Sequence, residues 1–231
     1  WEKPDWFNTD KIKEELSYNR NNVFPYIQKE CEHVHNNVGV LDLSTFSKYE
    51  ITGEDSYQFL DRLCVNRIPK KDGSIILTHT LNNIGRIQSE FTITKVKENH
   101  YYALSAAVSE IRDLDWFNQN KQDNEKVTIK NVSLEKGVLG LIGPKSRNVL
   151  SKITNTDLSN ENFPWLKSKE IKINDIEVLA LRVNYAGELG WELHIPMNKM
   201  SEVYDLLFKE GQSENIIDFG SRALNSMRME K

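Results

Sequence analysis

The alternation of apolar and polar residues divides the chain into short helices and strands. Apolar positions three and four apart predict amphipathic helices at 26–37, 57–65, 109–120, 145–153, 199–210 and 222–231. Runs that alternate with period two, or that are rich in β-branched residues, predict strands at 39–44, 48–52, 74–81, 86–94, 101–106, 127–132, 138–142, 171–173, 178–185 and 191–195. Asp55 or Ser56 is expected to cap the second helix, Ser109 the third, and Gly211 to end the fifth.

The connections between these elements favour antiparallel sheets. The turn at 82–85, Asn-Asn-Ile-Gly, is too short for the crossover that joins parallel strands. Each half of the chain runs from strand to helix to further strands and a closing helix, and the charged loop at 119–126 is the best candidate for a junction. The predicted fold class is therefore α+β, with antiparallel sheets that carry helices on one face, in two subdomains.

Composition removes several classes of function. The 231 residues carry a net charge of -4 and show no basic stripe, so no nucleic-acid partner is predicted. No apolar run approaches the roughly 18 residues of a membrane helix, and no GxGxxG motif marks a dinucleotide-binding domain. His33 and His35 stand two apart on a helix and point in different directions, so no metal site is predicted. Cys31 and Cys64 are interpreted as free thiols of a reducing compartment.

The stretch 184–192, Asn-Tyr-Ala-Gly-Glu-Leu-Gly-Trp-Glu, carries more chemistry than a turn between two strands requires. Its glycines suit a hairpin, which needs positive φ, but Tyr185 and Glu192 are not needed for one. The ring and the carboxylate could face one cleft, as a flat wall and an acceptor pair for a nitrogen-rich heterocycle. The alternative is a plain hairpin whose acids are solvated.

Glu90 is a further candidate for chemistry. Alternation on its predicted strand places Gln88, Glu90 and Thr92 on one face. That face is either solvated or lines a cleft, in which case Glu90 would act as the acid or base and Thr92 as its hydrogen-bonding neighbour. Arg228 and Glu230 form a third candidate pair, but they stand two apart on a helix and so would need other partners.

An ordered series of motifs resembles one family along essentially the whole chain. In chain order these are WEKPDWF, VGVLDLSTFSKYEITG, LNNIGRIQSEFTIT, SEIRDLDWF, VLGLIGPKSRNVL, RVNYAGELGWELHIP and FGSRALNSMRMEK. They are similar to the folate-binding part of dimethylglycine dehydrogenase and sarcosine dehydrogenase, and more loosely to the aminomethyltransferase (T-protein) of the glycine cleavage system. The resemblance implies a module for tetrahydrofolate-dependent one-carbon transfer.

The resemblance also implies an architecture. In this family two ferredoxin-like antiparallel-sheet subdomains and a third, β-rich subdomain surround a central folate cavity. Residues 1–50 and 127–231 would form the first subdomain, which carries the pterin-binding motif, and residues 51–126 the second, which carries Glu90. The third subdomain would follow Lys231 and an FAD-binding, amine-oxidising domain would precede Trp1. Both are missing here, so the chain is expected to be a piece of a longer protein that does not oxidise an amine by itself.

The resemblance assigns roles residue by residue. Glu90 falls at the position of the catalytic acid, which is Asp in many members. The cofactor-binding positions correspond to Thr92, Ala106, Tyr185, Glu192 and His194. Relatives tend to have glycine at the position of Ala106, so this contact is the least certain to transfer.

Two positions depart from the family pattern. Ala186 replaces the usual Thr or Ser of the YTGE motif. Leu224 stands where the T-protein carries a folate-contacting arginine, which favours the dehydrogenase branch.

The implied reaction forms 5,10-methylenetetrahydrofolate from the electrophilic carbon of an oxidised amine. The expected partners are folate and a small amine-derived one-carbon donor, together with a flavin domain or a lipoyl carrier protein. Two alternatives remain: a free-standing aminomethyltransferase of the glycine-cleavage type, and a non-catalytic folate-binding regulator, which should lack the acid at position 90. The family implies the cytoplasm in a bacterium or the mitochondrial matrix in a eukaryote.

Overall fold

In the computed structural model, which describes residues 2–8 and 10–230, short helices and strands alternate along the chain. The helices are α1 (Phe24–Asn36), α2 (Ser56–Leu63), α3 (Glu110–Asn120), α4 (Ser146–Ile153), α5 (Met200–Gly211) and α6 (Ser221–Glu230). The strands are β1 (Val38–Asp42), β2 (Ser47–Thr52), β3 (Ile75–Leu81), β4 (Ile87–Lys97), β5 (His100–Ser105), β6 (Thr128–Asn131), β7 (Lys136–Ile142), β8 (Ser168–Ile173), β9 (Ile176–Leu181), β10 (Gly190–Pro196) and β11 (Ile216–Asp218).

The first sheet has the strand order β3-β4-β5-β2-β6, and all its neighbours are antiparallel. Its β3–β4 hairpin turns at residues 82–85, where Gly85 adopts a φ of 76° that other residues disfavour. One face of this sheet packs against α2 and α3 in an aromatic-rich core. Phe117 of α3 lies inside that core, with its ring centroid 4.9 Å from Phe91 and 5.7 Å from Tyr49. The opposite face is left to meet the second sheet.

The second sheet has the strand order β11-β1-β7-β10-β9-β8. Side chains alternate between the two faces of a strand. Trp191, Leu193 and Ile195 of β10 therefore share one face, where they pack in a core with residues of α4 and α5. Glu192 and His194 consequently point to the other face, toward the first sheet.

The two sheets pack against each other through a small apolar cluster. Tyr102 and Leu104 of β5 belong to one buried cluster with Leu181 of β9. On the same side of the second sheet, α1 and α6 pack together over Leu41 and Ile142. This arrangement encloses a space that is bounded by both sheets and by α6.

The predicted α+β class with antiparallel-dominated sheets is confirmed. Two details differ from the prediction: the second sheet carries helices on both faces, α4 and α5 on one and α1 and α6 on the other, and one of its edge pairs is parallel. β11 was not predicted, and it pairs parallel with β1. A three-residue strand is too short to produce a periodic pattern in the sequence.

Several predicted boundaries and two predicted caps also differ from the structure. β9 ends at Leu181 rather than at residue 185, and α5 includes Gly211. The side chains of Asp55 and Ser109 make no cap hydrogen bond, and Ser56 lies inside α2. Asp55 Oδ2 instead accepts a hydrogen bond from the Lys126 backbone N–H at 2.8 Å, and Ser109 Oγ accepts one from Arg112 at 2.8 Å. A tertiary partner thus replaces the local one at Asp55, whereas Ser109 bonds a side chain of the helix that it precedes.

The predicted division into residues 1–50 with 127–231 and residues 51–126 stays a prediction. The first sheet includes β2 and β6, so its strands extend a few residues beyond both ends of the 51–126 segment. Cys31 and Cys64 are free thiols, as predicted. In the part of the chain that the structure describes, no helix combines the length and apolar character needed to cross a membrane. Trp1 and Lys231 lie outside the described residues.

Candidate functional site

A cavity of about 340 Å³ lies between the two sheets and α6. Residues from both sheets line it, including Glu90, Thr92, Ala106, Tyr185 and Glu192. Side chains that are far apart in the sequence therefore share one space. The structure brings five of the six predicted site residues together, and their roles stay predictions.

Glu90 and Thr92 reach the cavity from β4. Ser89 and Phe91, on the opposite face of this strand, are buried, whereas the Glu90 side chain is 48% exposed. His79 on β3 lies directly across the strand pair, with Nε2 2.9 Å from Glu90 Oε2. His79 could not be identified from the sequence, because a β-bulge between Thr80 and Leu81 shifts the register that the turn at 82–85 would set by itself.

Glu192 enters the cavity from β10 and is 5% exposed. Burial raises the pKa of its carboxyl group to about 8, so it is mostly neutral at pH 7. Its carboxylate makes no hydrogen bond to any other residue that the structure describes. A buried carboxyl group without a hydrogen-bond partner is costly, and it suits a ligand that offers N–H donors.

His194 lies behind Glu192 and is 2% exposed. Its Nδ1 is 3.1 Å from the Tyr102 hydroxyl oxygen, and its Nε2 is 3.7 Å from Glu192 Oε2. Burial, reinforced by the nearby positive charges of Lys48 and Lys136, holds the pKa of His194 well below its usual value. The imidazole is therefore neutral. It lies beside Glu192, which lines the cavity. Its predicted cofactor-binding role stays a prediction.

The loop between β9 and β10 supplies the aromatic wall of the cavity. Tyr185 is 47% exposed on this loop, and burial of part of the ring together with the neighbouring Glu90 raises the pKa of its hydroxyl group. Ala186 points the other way, into the apolar cluster formed with Phe219 and Ala223. The departure from the family motif at Ala186 therefore falls on a core position outside the cavity lining.

The same loop is tied to α1 and α6 through His35. The imidazole Nδ1 lies 2.7 Å from Glu188 Oε1, and Nε2 lies 3.1 Å from Glu230 Oε2. The hydrogen bond to Glu188 raises the pKa of His35, and Glu230 acts in the same direction. Glu230, one of the third pair of candidates, thus has a role in holding the loop.

This contact predicts a pH-dependent stability. The folded protein binds the His35 proton more tightly than the unfolded chain does. The contribution of this contact to the free energy of unfolding is therefore complete below the unfolded-state pKa of about 6.5, and it is lost as the pH rises through the folded-state pKa. We expect His35→Gln to remove this part of the pH dependence of the free energy of unfolding, measured by urea denaturation from about pH 5 to 9. His33→Gln is the matched control because, within the described residues, the His33 ring hydrogen-bonds to the backbone oxygen of Asn215 and to no carboxylate. The same pH dependence in His35→Gln and in the wild-type chain would refute the contact.

The cavity face of α6 follows helical spacing. Ser221, Leu224, Asn225 and Arg228 lie on one side of the helix, and all four line the cavity. Arg228, the other member of the third candidate pair, places a cation at the edge of the cavity and donates to Asn225 Oδ1 at 3.0 Å. The spacing of these residues was visible in the sequence, but it did not show which side of the helix faces the site.

Two further charged residues line the cavity. Lys3 comes from the irregular polar lead-in and Asp42 from the last position of β1. Neither could be identified from the sequence: Lys3 stands in no periodic element, and the strand predicted at 39–44 did not show which of its faces meets the cavity. Among residues 2–8 and 10–230, no group of three or more His, Cys, Asp or Glu side chains is placed to hold a metal ion.

The family model of the GCVT N-terminal domain matches residues 1–231. The chain belongs to the GCVT N-terminal domain family. This GCVT domain is 40% identical to mitochondrial dimethylglycine dehydrogenase of Rattus norvegicus, a match covering 100% of the chain and 27% of that protein. It is 27% identical to mitochondrial sarcosine dehydrogenase of Mus musculus, covering 100% of the chain and 30% of that protein. The chain therefore spans less than a third of the length of these curated relatives.

A solved structure shows the same fold. The glycine cleavage system aminomethyltransferase T from Bartonella henselae superposes on the GCVT domain with a TM-score of 0.78 at 20% sequence identity. The match covers 94% of this chain and 58% of that one. It confirms the predicted fold class.

Proposed function

We propose that this GCVT domain binds tetrahydrofolate in the cavity between its sheets and catalyses one-carbon transfer that forms 5,10-methylenetetrahydrofolate. The observation that carries the proposal is a pair of carboxyl groups in contrasting environments around one cavity. Glu192 is buried without a hydrogen-bond partner among the described residues, whereas Glu90 is half exposed and paired with His79. Carboxyl groups in contrasting environments take different roles in one site.

The residues present fit a pterin ring. Adjacent amino and ring N–H groups of a pterin match the two oxygens of Glu192, which would accept two parallel hydrogen bonds. Tyr185 offers a ring face beside it, and Leu224 adds an apolar contact. Lys3 and Arg228 supply positive charge at the cavity, suited to the anionic tail of a folate. Orientation by these contacts would bring the reacting amines toward Glu90.

Tetrahydrofolate supplies two nucleophilic amines when it is bound. Glu90, as a carboxylate, would take the proton from a folate amine as this nitrogen forms its bond to the electrophilic carbon of the donor. Glu90 would pass this proton to the nitrogen of the donor. When the second folate amine forms its bond to the same carbon, Glu90 would take its proton too and pass it to the donor nitrogen, which departs as a protonated amine. An iminium donor and two folate N–H groups thus give the methylene bridge and one ammonium ion. His79 would hold the Glu90 carboxylate through Nε2 while the proton is transferred.

The donor in this proposal is a small amine-derived one-carbon unit, supplied by a flavin domain that oxidises the amine. The relatives named mitochondrial support the mitochondrial matrix as the location in a eukaryote. A lipoyl carrier protein, expected for a free-standing aminomethyltransferase, is the alternative source. A non-catalytic regulator is disfavoured because a carboxylate stands at position 90 and lines the cavity.

Binding of folinic acid, a stable tetrahydrofolate analogue, should tighten as the pH rises from about 6 to 8 and then level off. In the free protein the pKa of Glu192 is about 8, and the two N–H donors of the ligand favour the ionised form. Binding below this pKa must therefore release a proton. Isothermal titration calorimetry in buffers of different ionisation enthalpy measures both the affinity and the release. An affinity that does not change across this pH range would contradict the assignment of Glu192.

A further inference from the structure

Three buried polar side chains form a line that leads away from the cavity. Tyr102 projects from β5 of the first sheet, and His194 and Glu192 project from β10 of the second. Tyr102 is 1% exposed, His194 2% and Glu192 5%, so all three side chains are shielded from bulk water. The line therefore joins the two sheets directly behind the part of the cavity that Glu192 forms.

The hydrogen-bonding capacity of these groups decides how the imidazole is oriented. A neutral imidazole has one nitrogen that donates and one that accepts. The only hydrogen bond of the Tyr102 hydroxyl group within the described residues is to His194 Nδ1, at 3.1 Å. If the hydroxyl group donates to Nδ1, its hydrogen is satisfied and the imidazole proton resides on Nε2. The opposite orientation would leave the buried hydroxyl hydrogen without an acceptor, which costs free energy.

The Nε2–H group that results faces Glu192. Its distance of 3.7 Å from Glu192 Oε2 exceeds the usual range for a hydrogen bond, and Nε2 has no other partner in the part of the chain that the structure describes. Both groups are buried, so no solvent competes for this donor. A small rotation of the Glu192 side chain would close the gap once the carboxyl group is ionised and attracts the donor.

We infer that His194, oriented by the Tyr102 hydroxyl group, is a positioning residue that donates a hydrogen bond from Nε2 to the ionised form of Glu192. In this arrangement the ligand's N–H groups would approach the carboxylate from the cavity, and His194 would support it from behind. The pair therefore favours ligands that ionise Glu192. The inference rests on the proposed function only for the identity of that ligand.

Packing alone is the competing explanation for these residues. The rings of Tyr102 and His194 meet edge to face, with centroids 5.2 Å apart, and this contact would hold the sheets together without any effect on Glu192. Replacing Tyr102 by Phe separates the two explanations, because the ring stays and only the hydroxyl group is lost. Tyr101→Phe is the matched control: Tyr101 lies on the same strand, is equally buried, and donates from its hydroxyl group to the Pro69 backbone oxygen at 3.0 Å.

Other charged and titratable groups around Glu192 must stay unchanged in the comparison. They are Lys3 from the polar lead-in, Asp42 from the end of β1, Lys48 and Glu50 from β2, Glu90 from β4, Lys136 from β7, Tyr185 from the β9–β10 loop and Arg228 from α6. None of them is altered by Tyr102→Phe or Tyr101→Phe. A difference between these two variants therefore reports on the hydroxyl group of Tyr102.

The test measures the ionisation of Glu192 in the ligand-free chain. Infrared difference spectroscopy monitors the band of its protonated carboxyl group as the pH is changed. Loss of this band in Glu192→Gln assigns it. Tyr102→Phe should raise the titration midpoint by about one pH unit, the effect of losing one hydrogen bond to the charged form, and Tyr101→Phe should leave it at the wild-type value. His194→Gln, a second variant, replaces the imidazole by a neutral amide and should also shift the midpoint.

Equal midpoints in Tyr102→Phe and Tyr101→Phe would overturn the inference and leave packing as the role of the pair. A parallel titration with folinic acid at pH 7 should show affinity about tenfold weaker in Tyr102→Phe than in Tyr101→Phe. If the wild-type chain failed to bind folinic acid, the proposed function would fail. The infrared result would still decide the role of His194, because it requires no ligand.

Discussion

Glu90→Gln should lower the rate constant of one-carbon transfer by about 10²–10⁴-fold, which is the usual contribution of a positioned acid or base. The amide keeps the size of the side chain but cannot accept the proton of the folate amine. The affinity for tetrahydrofolate should change little, because Glu192 and Tyr185 make the proposed binding contacts on other elements. The measurement is the acceleration of 5,10-methylenetetrahydrofolate formation from formaldehyde and tetrahydrofolate over the uncatalysed reaction, with kcat and KM determined separately.

Glu98→Gln is the matched control for this experiment, because Glu98 is exposed in the turn that follows β4. It should retain the rate of the wild-type chain. A wild-type rate in Glu90→Gln would remove Glu90 from the chemistry, and a loss confined to KM would reassign it to binding.

Glu192→Gln should weaken the binding of folinic acid by about 10- to 150-fold, equivalent to the roughly 1.5–3 kcal/mol of hydrogen bonds to a charged group. The amide presents one N–H group to a ligand that also offers N–H groups, so one acceptor is lost and a donor faces a donor. The variant should also lose the rise in affinity between about pH 6 and 8. Calorimetric titration measures both effects in the same series.

Glu170→Gln, an exposed substitution on β8 of the same sheet, is the control and should bind as the wild-type chain does. Rate constants at saturating tetrahydrofolate should be nearly the same in Glu192→Gln and the wild type, since Glu192 orients the ligand and Glu90 transfers the proton. If binding survived unchanged in Glu192→Gln, the pterin would have to lie elsewhere.

Much of the fold follows from local patterns in the sequence. The period-two alternation in β4 places Ser89 and Phe91 on one face and Glu90 and Thr92 on the other, as the structure shows. The tight turn at 82–85 establishes antiparallel pairing before any tertiary contact is considered. Helices with clear periodicity were predicted to within a few residues at each end.

The parts that were not predictable depend on long-range contacts. β11 is stabilised by pairing with β1, and Asp55 bonds Lys126 rather than its own helix. The sequence marked Glu90 and Glu192 as candidates but could not show that two different sheets bring them to one cavity. The role of Tyr102 was likewise hidden, because its partner His194 lies on a strand of the other sheet.

In the proposed complex one cavity holds a folate, with Glu192 on its pterin and Glu90 across from it. A crystal structure of the chain with folinic acid would show this arrangement. The pterin N–H groups should lie within hydrogen-bonding distance of both Glu192 oxygens, against Tyr185, with the reactive nitrogens facing Glu90. A ligand bound outside this cavity, or bound in it with the pterin turned away from Glu192, would refute the proposed site.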